Sequence, residues 1–308
     1  MNKGVMFVLT FDVLSAAQSV WLGSLLQGVK IYNILFVNFA IISLTFALMN
    51  HFNKKDKATI TIKDSFLFLV LNIGTLGSWL FLYISLKYIE PALTAATIYG
   101  INPLATLLVS LIVWKAFSEL SKAKLFVSIL TIGCMVIVGL TVTGGYSSVT
   151  NDGHHELTLG FIMAIMTGFC MAIVNVISKK IYENGFNLYQ LMSMRFFLLL
   201  VVSFYMGSNI VNDIQEHAFA FVVIAILGNV IPLFMLQKGI ALIPPRQVSY
   251  LLLLTPLFVF LFQYFDSRLQ LSFYSLLAIM SVVVLSVLGS YIESRKKEKI
   301  ILKEEEAR

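Results

Sequence analysis

Apolar residues arrive along this chain in long runs separated by short polar breaks, and each run has the length of a membrane span. An apolar helix of about 20 residues crosses the roughly 30 Å hydrocarbon layer and satisfies its backbone groups internally. The runs predict ten spans, over residues 4–22, 31–50, 65–86, 91–114, 123–143, 158–178, 188–207, 218–237, 246–265 and 272–292, joined by short loops. A transmembrane barrel would instead alternate apolar and polar residues in strands of about ten residues. Stretches such as Ile129 to Leu140 are apolar on every side. The expected fold class is an all-α integral membrane protein.

The second five runs can be laid over the first five. YIEPALTAATIYGINP, from Tyr88, lies on ALIPPRQVSYLLLLTP, from Ala241, with Pro91 over Pro244 and Pro103 over Pro256. Similar offsets place Gly4 over Gly160, and the NFAIISL from Asn38 over the RFFLLLV from Arg195. Because each unit has an odd number of spans, the second enters the membrane from the opposite face. The expected architecture is ten transmembrane helices in two inverted five-helix repeats. Residues 1–145 form the first repeat, 146–157 an external linker, 158–292 the second repeat and 293–308 a charged cytoplasmic tail. Pro91 and Pro244 stand where a helix can begin. Pro103 and Pro256 lie about three turns further on, where proline removes a ladder bond and kinks the helix. They are expected either to act as gates or to serve packing alone.

Composition agrees: 12% of residues are charged and 58% apolar, the mean hydropathy is +0.88, and a soluble domain carries about a quarter charged residues. The first run starts almost at Met1, contains Asp12 and ends without a clear cleavage pattern, so it is expected to be a retained helix. With the N-terminus inside, one side of the membrane takes Lys3, Lys54, Lys55, Lys57, Lys63, Lys115, Lys122, Lys124, Lys179, Lys180, Lys238, Arg246 and the cations of the tail. The other side takes Lys30, Lys87 and Arg268. The positive-inside rule then puts both termini in the cytoplasm. Topology accounts for the net charge of +6, and no nucleic-acid partner is expected. Cys134 and Cys170 fall within spans as small apolar residues and imply no disulfide framework. Asp152, His154, His155 and Glu156 lack the convergent spacing of a metal motif, so a solvated loop without metal is expected. No HExxH, GxSxG or GxxxxGK[ST] string occurs. Neither an enzyme nor a cofactor is expected.

Polar residues inside spans are the candidate chemistry, since they are costly facing lipid. Asp12 lies about 12 Å into the first span at 1.5 Å per residue, with Ser15 and Ser19 on its face. It either binds a proton or a cationic solute group, or forms a structural bond to a neighbouring helix. Arg195 either snorkels or pairs structurally, or binds an anionic solute group or Asp12. Asn72, Thr75, Trp79 and Tyr83 form a stripe on the third span, and Tyr99, Asn102, Thr106 and Ser110 another on the fourth. Thr167, Met171, Asn175 and Ser178 share a face of the sixth, and Tyr250, Thr255 and Gln263 are polar positions of the ninth. Each stripe lines a cavity or forms a helix-contact seam. Glu90 and Lys87 are expected to be a solvated pair or part of a gate.

SLKYIEPAL entering the fourth span, INPL and TPLF in the fourth and ninth spans and RF at Arg195, in this order and spacing, resemble the EamA-type branch of the drug/metabolite transporter superfamily. The sequence departs from that pattern at FSELS, from Phe117, at FDSRL, from Phe265, and at Asn38. The resemblance implies a secondary transporter whose two repeats surround a cavity that opens alternately to either side. The expected activity is transport of a small organic solute (amino acid, amine or drug-like metabolite), as proton-coupled export through a multi-pass membrane protein of bacterial inner-membrane type. Asp12 would carry the proton. Trp79, Tyr83 and Tyr99 would make apolar and aromatic contacts, with Asn72, Asn102 and Asn175 giving polar recognition. Protons, the solute and the bilayer are the expected partners, with the chain a monomer or homodimer. A facilitator or exchanger would show the same pattern, and a non-transporting membrane sensor or assembly protein is a third possibility.

Overall fold

The computed structural model describes residues 2–53, 58–114, 122–144, 146, 154–267, 269, 272–284 and 288. The turn containing FSELS, most of the 146–157 linker with Asp152, Arg268 and the 293–308 tail lie outside the described residues. The first six predicted spans appear as α1 (Lys3–Leu25), α2 (Ile31–Phe52), α3 (Ile62–Tyr88), α4 (Pro91–Trp114), α5 (Lys122–Thr143) and α6 (His154–Glu183). The seventh is divided into α7 (Leu188–Met194) and α8 (Phe197–Met206). The eighth is longer than expected, consisting of α9 (Ile210–Val223), a π-helical stretch (Ile224–Val230) and α10 (Ile231–Leu242). The ninth is divided into α11 (Pro245–Leu252) and α12 (Thr255–Gln263), and α13 (Phe273–Val284) follows. Among the described residues there is no strand. Eight of these helical paths are long and apolar enough to cross a membrane, and the apolar stretches Ile132–Thr143 and Phe273–Val284 are shorter.

Local chemistry sets several ends. The Thr61 side chain accepts from the Asp64 N–H at 3.3 Å while Asp64 Oδ2 accepts from the Thr61 N–H at 3.0 Å, closing a capping box on α3. Asn187 and Gln190 do the same for α7. Gly185, with φ of 89°, supplies the left-handed turn after α6, and Asn184 Nδ2 donates to Asp64 Oδ1 at 2.8 Å, tying that turn to α3.

Polarity is inverted relative to a water-soluble protein. Asp12, Asn38, Asn102 and Thr106 are fully buried, whereas Ile112 is 71% and Phe219 79% exposed. An outer surface of Leu, Ile and Phe with polar groups turned inward suits a bundle solvated by lipid.

Small residues set the closest approaches. A Cβ on Gly77 of α3 would stand 2.6 Å from Cys170 Sγ of α6, and one on Gly74 3.2 Å from Val174. A Cβ on Gly168 of α6 would meet the Ile98 carbonyl oxygen of α4 at 2.6 Å. Gly4, at the start of α1, packs on Leu242 and Ile243, just before Pro244; Gly160, near the start of α6, packs on Tyr88 and Ile89, just before Pro91. The aligned prolines differ in effect. α4 continues through Pro103, whereas α11 and α12 are separated by a turn at Leu253 and Leu254, ahead of Pro256.

Candidate functional site

Between α1, α3, α4, α6, the α7–α8 junction and α10 lies a cavity with about 720 Å³ of empty space, the part open to solvent included. Of the residues singled out from the sequence, Ser15, Ser19, Trp79, Pro91, Tyr99, Met171, Asn175 and Arg195 line it. Asp12, Asn72, Tyr83 and Asn102 do not. Most of the remaining wall is apolar, including Phe11, Leu82, Ile98 and Leu236.

Arg195 stands at the break between α7 and α8. It is 3% exposed and faces the cavity, so it does not snorkel to the bundle surface. Its Nε donates to Thr75 Oγ1 at 3.2 Å and its Nη1 to Met192 Sδ at 3.8 Å, and the guanidinium carbon lies 5.3 Å from the centre of the Phe196 ring. Nor does it pair with Asp12, whose partner is on another helix. Asn72 explains how the break is tolerated. Its Nδ2 donates to the Met194 carbonyl at 2.9 Å and its Oδ1 accepts from the Leu198 N–H at 3.2 Å, satisfying backbone groups that the interrupted helix leaves open. Nδ2 also donates to the Phe68 carbonyl at 2.9 Å. Asn72 is thus a backbone clamp, with its hydrogen bonds spent on helices rather than on a ligand.

Asp12 is fully buried behind the cavity wall. The Thr255 hydroxyl donates to its Oδ1 at 2.8 Å, and Oδ2 has no partner among the described residues. Tyr99, which lines the cavity, lies within electrostatic reach of Asp12 with its hydroxyl against Ser15 and Thr255. The Tyr99 hydroxyl thus stands beside both the cavity and the Thr255–Asp12 pair. The break between α11 and α12 makes this possible, because it places Thr255 at the start of α12, beside α1.

Asn102 joins α4 to α11. Its Oδ1 accepts from Ser249 Oγ at 2.7 Å and from Thr106 Oγ1 at 3.1 Å, and the two hydroxyls lie 2.8 Å apart. Tyr83 is buried behind Trp79, the rings 6.2 Å apart at 80°, and Asn38 Nδ2 donates to its hydroxyl at 3.5 Å. Trp79 continues this aromatic stack through Phe39 at 4.8 Å. Gln263 Oε1 accepts from the Ala92 N–H at 2.6 Å, linking the end of α12 to the start of α4. Glu90, expected in a solvated pair or as part of a gate, is fully buried, which is not the solvated arrangement.

Gln18 was not among the sequence candidates, yet it lines the cavity. Its Nε2 donates to Asn229 Oδ1 at 3.0 Å, and Asn229 Nδ2 donates to the Ile224 carbonyl at 2.9 Å, within the π-helical stretch. A glutamine three residues after Ser15 in an apolar run was the available signal; π-helical turns, which gather at functional sites, leave none as plain. Among the described residues no three His, Cys, Asp or Glu side chains converge on a metal position, and His155 and Glu156 are exposed on the first turn of α6.

Residues 158–292 match the model of the EamA-like transporter family. No curated protein matches the chain. Among solved structures 26 chains match. One, described only as the crystal structure of a protein, aligns with a TM-score of 0.64 at 14% identity, over 96% of this chain and 98% of its own. At that identity the likeness shows the fold.

Proposed function

This chain carries an EamA-like transporter domain, of the drug/metabolite transporter superfamily, over residues 158–292, and we propose that it is a secondary active carrier. In this proposal it moves a small organic solute (amino acid, amine or drug-like metabolite) across a cell membrane by alternating access, exporting it from the cytoplasm in exchange for protons. One observation carries the proposal: a cavity walled jointly by α1, α3 and α4 from the first half and by α6, the α7–α8 junction and α10 from the second. A cavity at the seam between halves changes its opening when the halves rock against each other. The like contacts of Gly4 before Pro244 and Gly160 before Pro91 support two inverted five-helix units.

Each gate has its own contacts in this scheme. The Asn102, Thr106 and Ser249 cluster holds α4 against α11, and the Gln263 bond to Ala92 holds the far end of α12 against the start of α4. Pro103 offers no N–H to the Tyr99 carbonyl, so α4 has one fewer ladder bond to break on bending there, and in the second half the turn between α11 and α12, just ahead of Pro256, is the matching point of movement. Asp12 exchanges the proton, passed through Thr255 and Tyr99.

The test is flux in proteoliposomes. A stabilisation screen of amino acids, amines and dyes on the purified protein selects the solute, and flux is then followed under an imposed pH gradient, with and without solute on the far side. Uphill movement driven by the gradient alone is the expected result. Movement that requires counter-solute indicates an exchanger, and downhill movement indifferent to pH a facilitator. Binding without any flux indicates a sensor and ends the carrier proposal.

A further inference from the structure

The cavity wall holds a guanidinium and a buried amide N–H group whose hydrogen-bonding capacity is not used up. The Arg195 guanidinium has five N–H groups in a planar fork. One is given to the Thr75 hydroxyl and one to the Met192 sulfur, a weak acceptor. Among the described residues no carboxylate pairs with it, and no Asp or Glu lines the cavity. Asn175 lines the same cavity at 1% exposure, and its Nδ2 is buried without a partner. A cation without a carboxylate partner and an unused amide donor inside a lipid-solvated bundle are both unfavourable. A bound anion relieves both at once.

From these unused donors we infer that the solute carries a carboxylate, held by the free edge of the Arg195 guanidinium and by Asn175 Nδ2. The inference rests on the transport proposal for this cavity. The planar fork of an arginine matches the two oxygens of a carboxylate. A single cation suits one monoanionic group; a phosphate ester would call for several. A bare amine finds no counter-charge in the wall, because Asp12 lies behind Tyr99 and one of its oxygens is taken by Thr255. The apolar body of the solute rests on Phe11, Trp79, Tyr99 and Leu236, which line the rest of the space.

The experiment measures binding by thermal shift and calorimetry on the full-length purified protein, so it does not depend on flux. The probes are matched trios that differ only in the head group: 3-phenylpropanoate, 3-phenylpropanamide and 3-phenylpropylamine, and the same three groups on indole and on hexyl chains. At least one carboxylate binds tenfold or more tighter than its amide and amine. That preference disappears in Arg195→Gln and weakens in Arg195→Lys, which keeps the charge without the fork. Asn175→Asp, which sets a second carboxylate at the site, weakens the carboxylate probes selectively. Asn175→Leu is a second variant that leaves Arg195 in place, so the test survives if Arg195→Gln fails to fold; it lowers carboxylate affinity by a larger factor than amide affinity, because the bond to a charged acceptor is the stronger one. Equal or tighter binding of amides or amines, a preference that survives Arg195→Gln, or no carboxylate binding anywhere in the panel overturns the inference. Carboxylate binding without flux leaves it standing and ends the transport proposal instead.

Discussion

The hydroxyl of Thr255 donates to Asp12 Oδ1 at 2.8 Å, joining the start of α12 to the middle of α1. Asp12→Asn should abolish the pH dependence of flux, because the proton-exchanging group is gone. Thr255→Val should slow flux about tenfold, the equivalent of one hydrogen bond of about 1–1.5 kcal/mol, while keeping the pH dependence. Proteoliposome flux across a range of pH reads both. Unchanged rate and pH profile in Asp12→Asn would remove Asp12 from the mechanism.

Tyr99 and Tyr83 look alike as sequence candidates and differ in the structure. Tyr99 lines the cavity with its hydroxyl against Ser15 and Thr255, whereas the Tyr83 hydroxyl has one long contact, at 3.5 Å, to Asn38. Tyr99→Phe should lower the transport rate about tenfold, by the same hydrogen-bond arithmetic. Tyr83→Phe should stay within about twofold, since its ring packing is kept. The reverse order in flux measurements would contradict the cavity assignment.

Asn72 should matter for stability rather than for solute affinity. Asn72→Leu leaves the Met194 carbonyl and the Leu198 N–H without their partner, at about 1–3 kcal/mol for each unsatisfied group. A clearly lowered melting temperature in detergent is expected, with solute affinity per folded molecule retained. Normal melting with lost binding would return Asn72 to the solute site.

Two glycines should respond in opposite ways. Gly168→Ala drives a Cβ against the Ile98 carbonyl oxygen, a backbone atom that cannot rotate away, and should destabilise by about 1–3 kcal/mol. A Cβ on Gly133 would meet nothing within 4 Å among the described residues, so Gly133→Ala should be neutral or should stabilise by up to about 1 kcal/mol through helix propensity. Thermal melts of the two variants side by side give the comparison.

The long apolar runs were enough to place α1 to α6 close to their observed positions, because a helix that must satisfy its backbone in lipid needs a continuous apolar stretch and its ends announce themselves as polar breaks. Those runs could not show that the seventh and ninth paths are interrupted. Asn72 mends the first interruption from a helix more than a hundred residues away, and such a partner leaves no local mark. The polar stripe of the third span was legible as a stripe, yet its members divide: Trp79 faces the cavity, Asn72 and Thr75 face the α7–α8 break, and Tyr83 is buried behind Trp79. Helical periodicity reports a shared face and is silent on what stands opposite it.

The sequence by itself therefore determined a helical membrane protein with matching prolines and a short roster of intramembrane polar residues, since hydrophobic length and spacing are local properties. Only the tertiary structure decided that Arg195 faces the cavity without a carboxylate partner while Asp12 waits one hydroxyl behind its wall. Those roles depend on contacts between α1 and α12 and between α3 and the α7–α8 junction, and such long-range pairings arise when the helices pack.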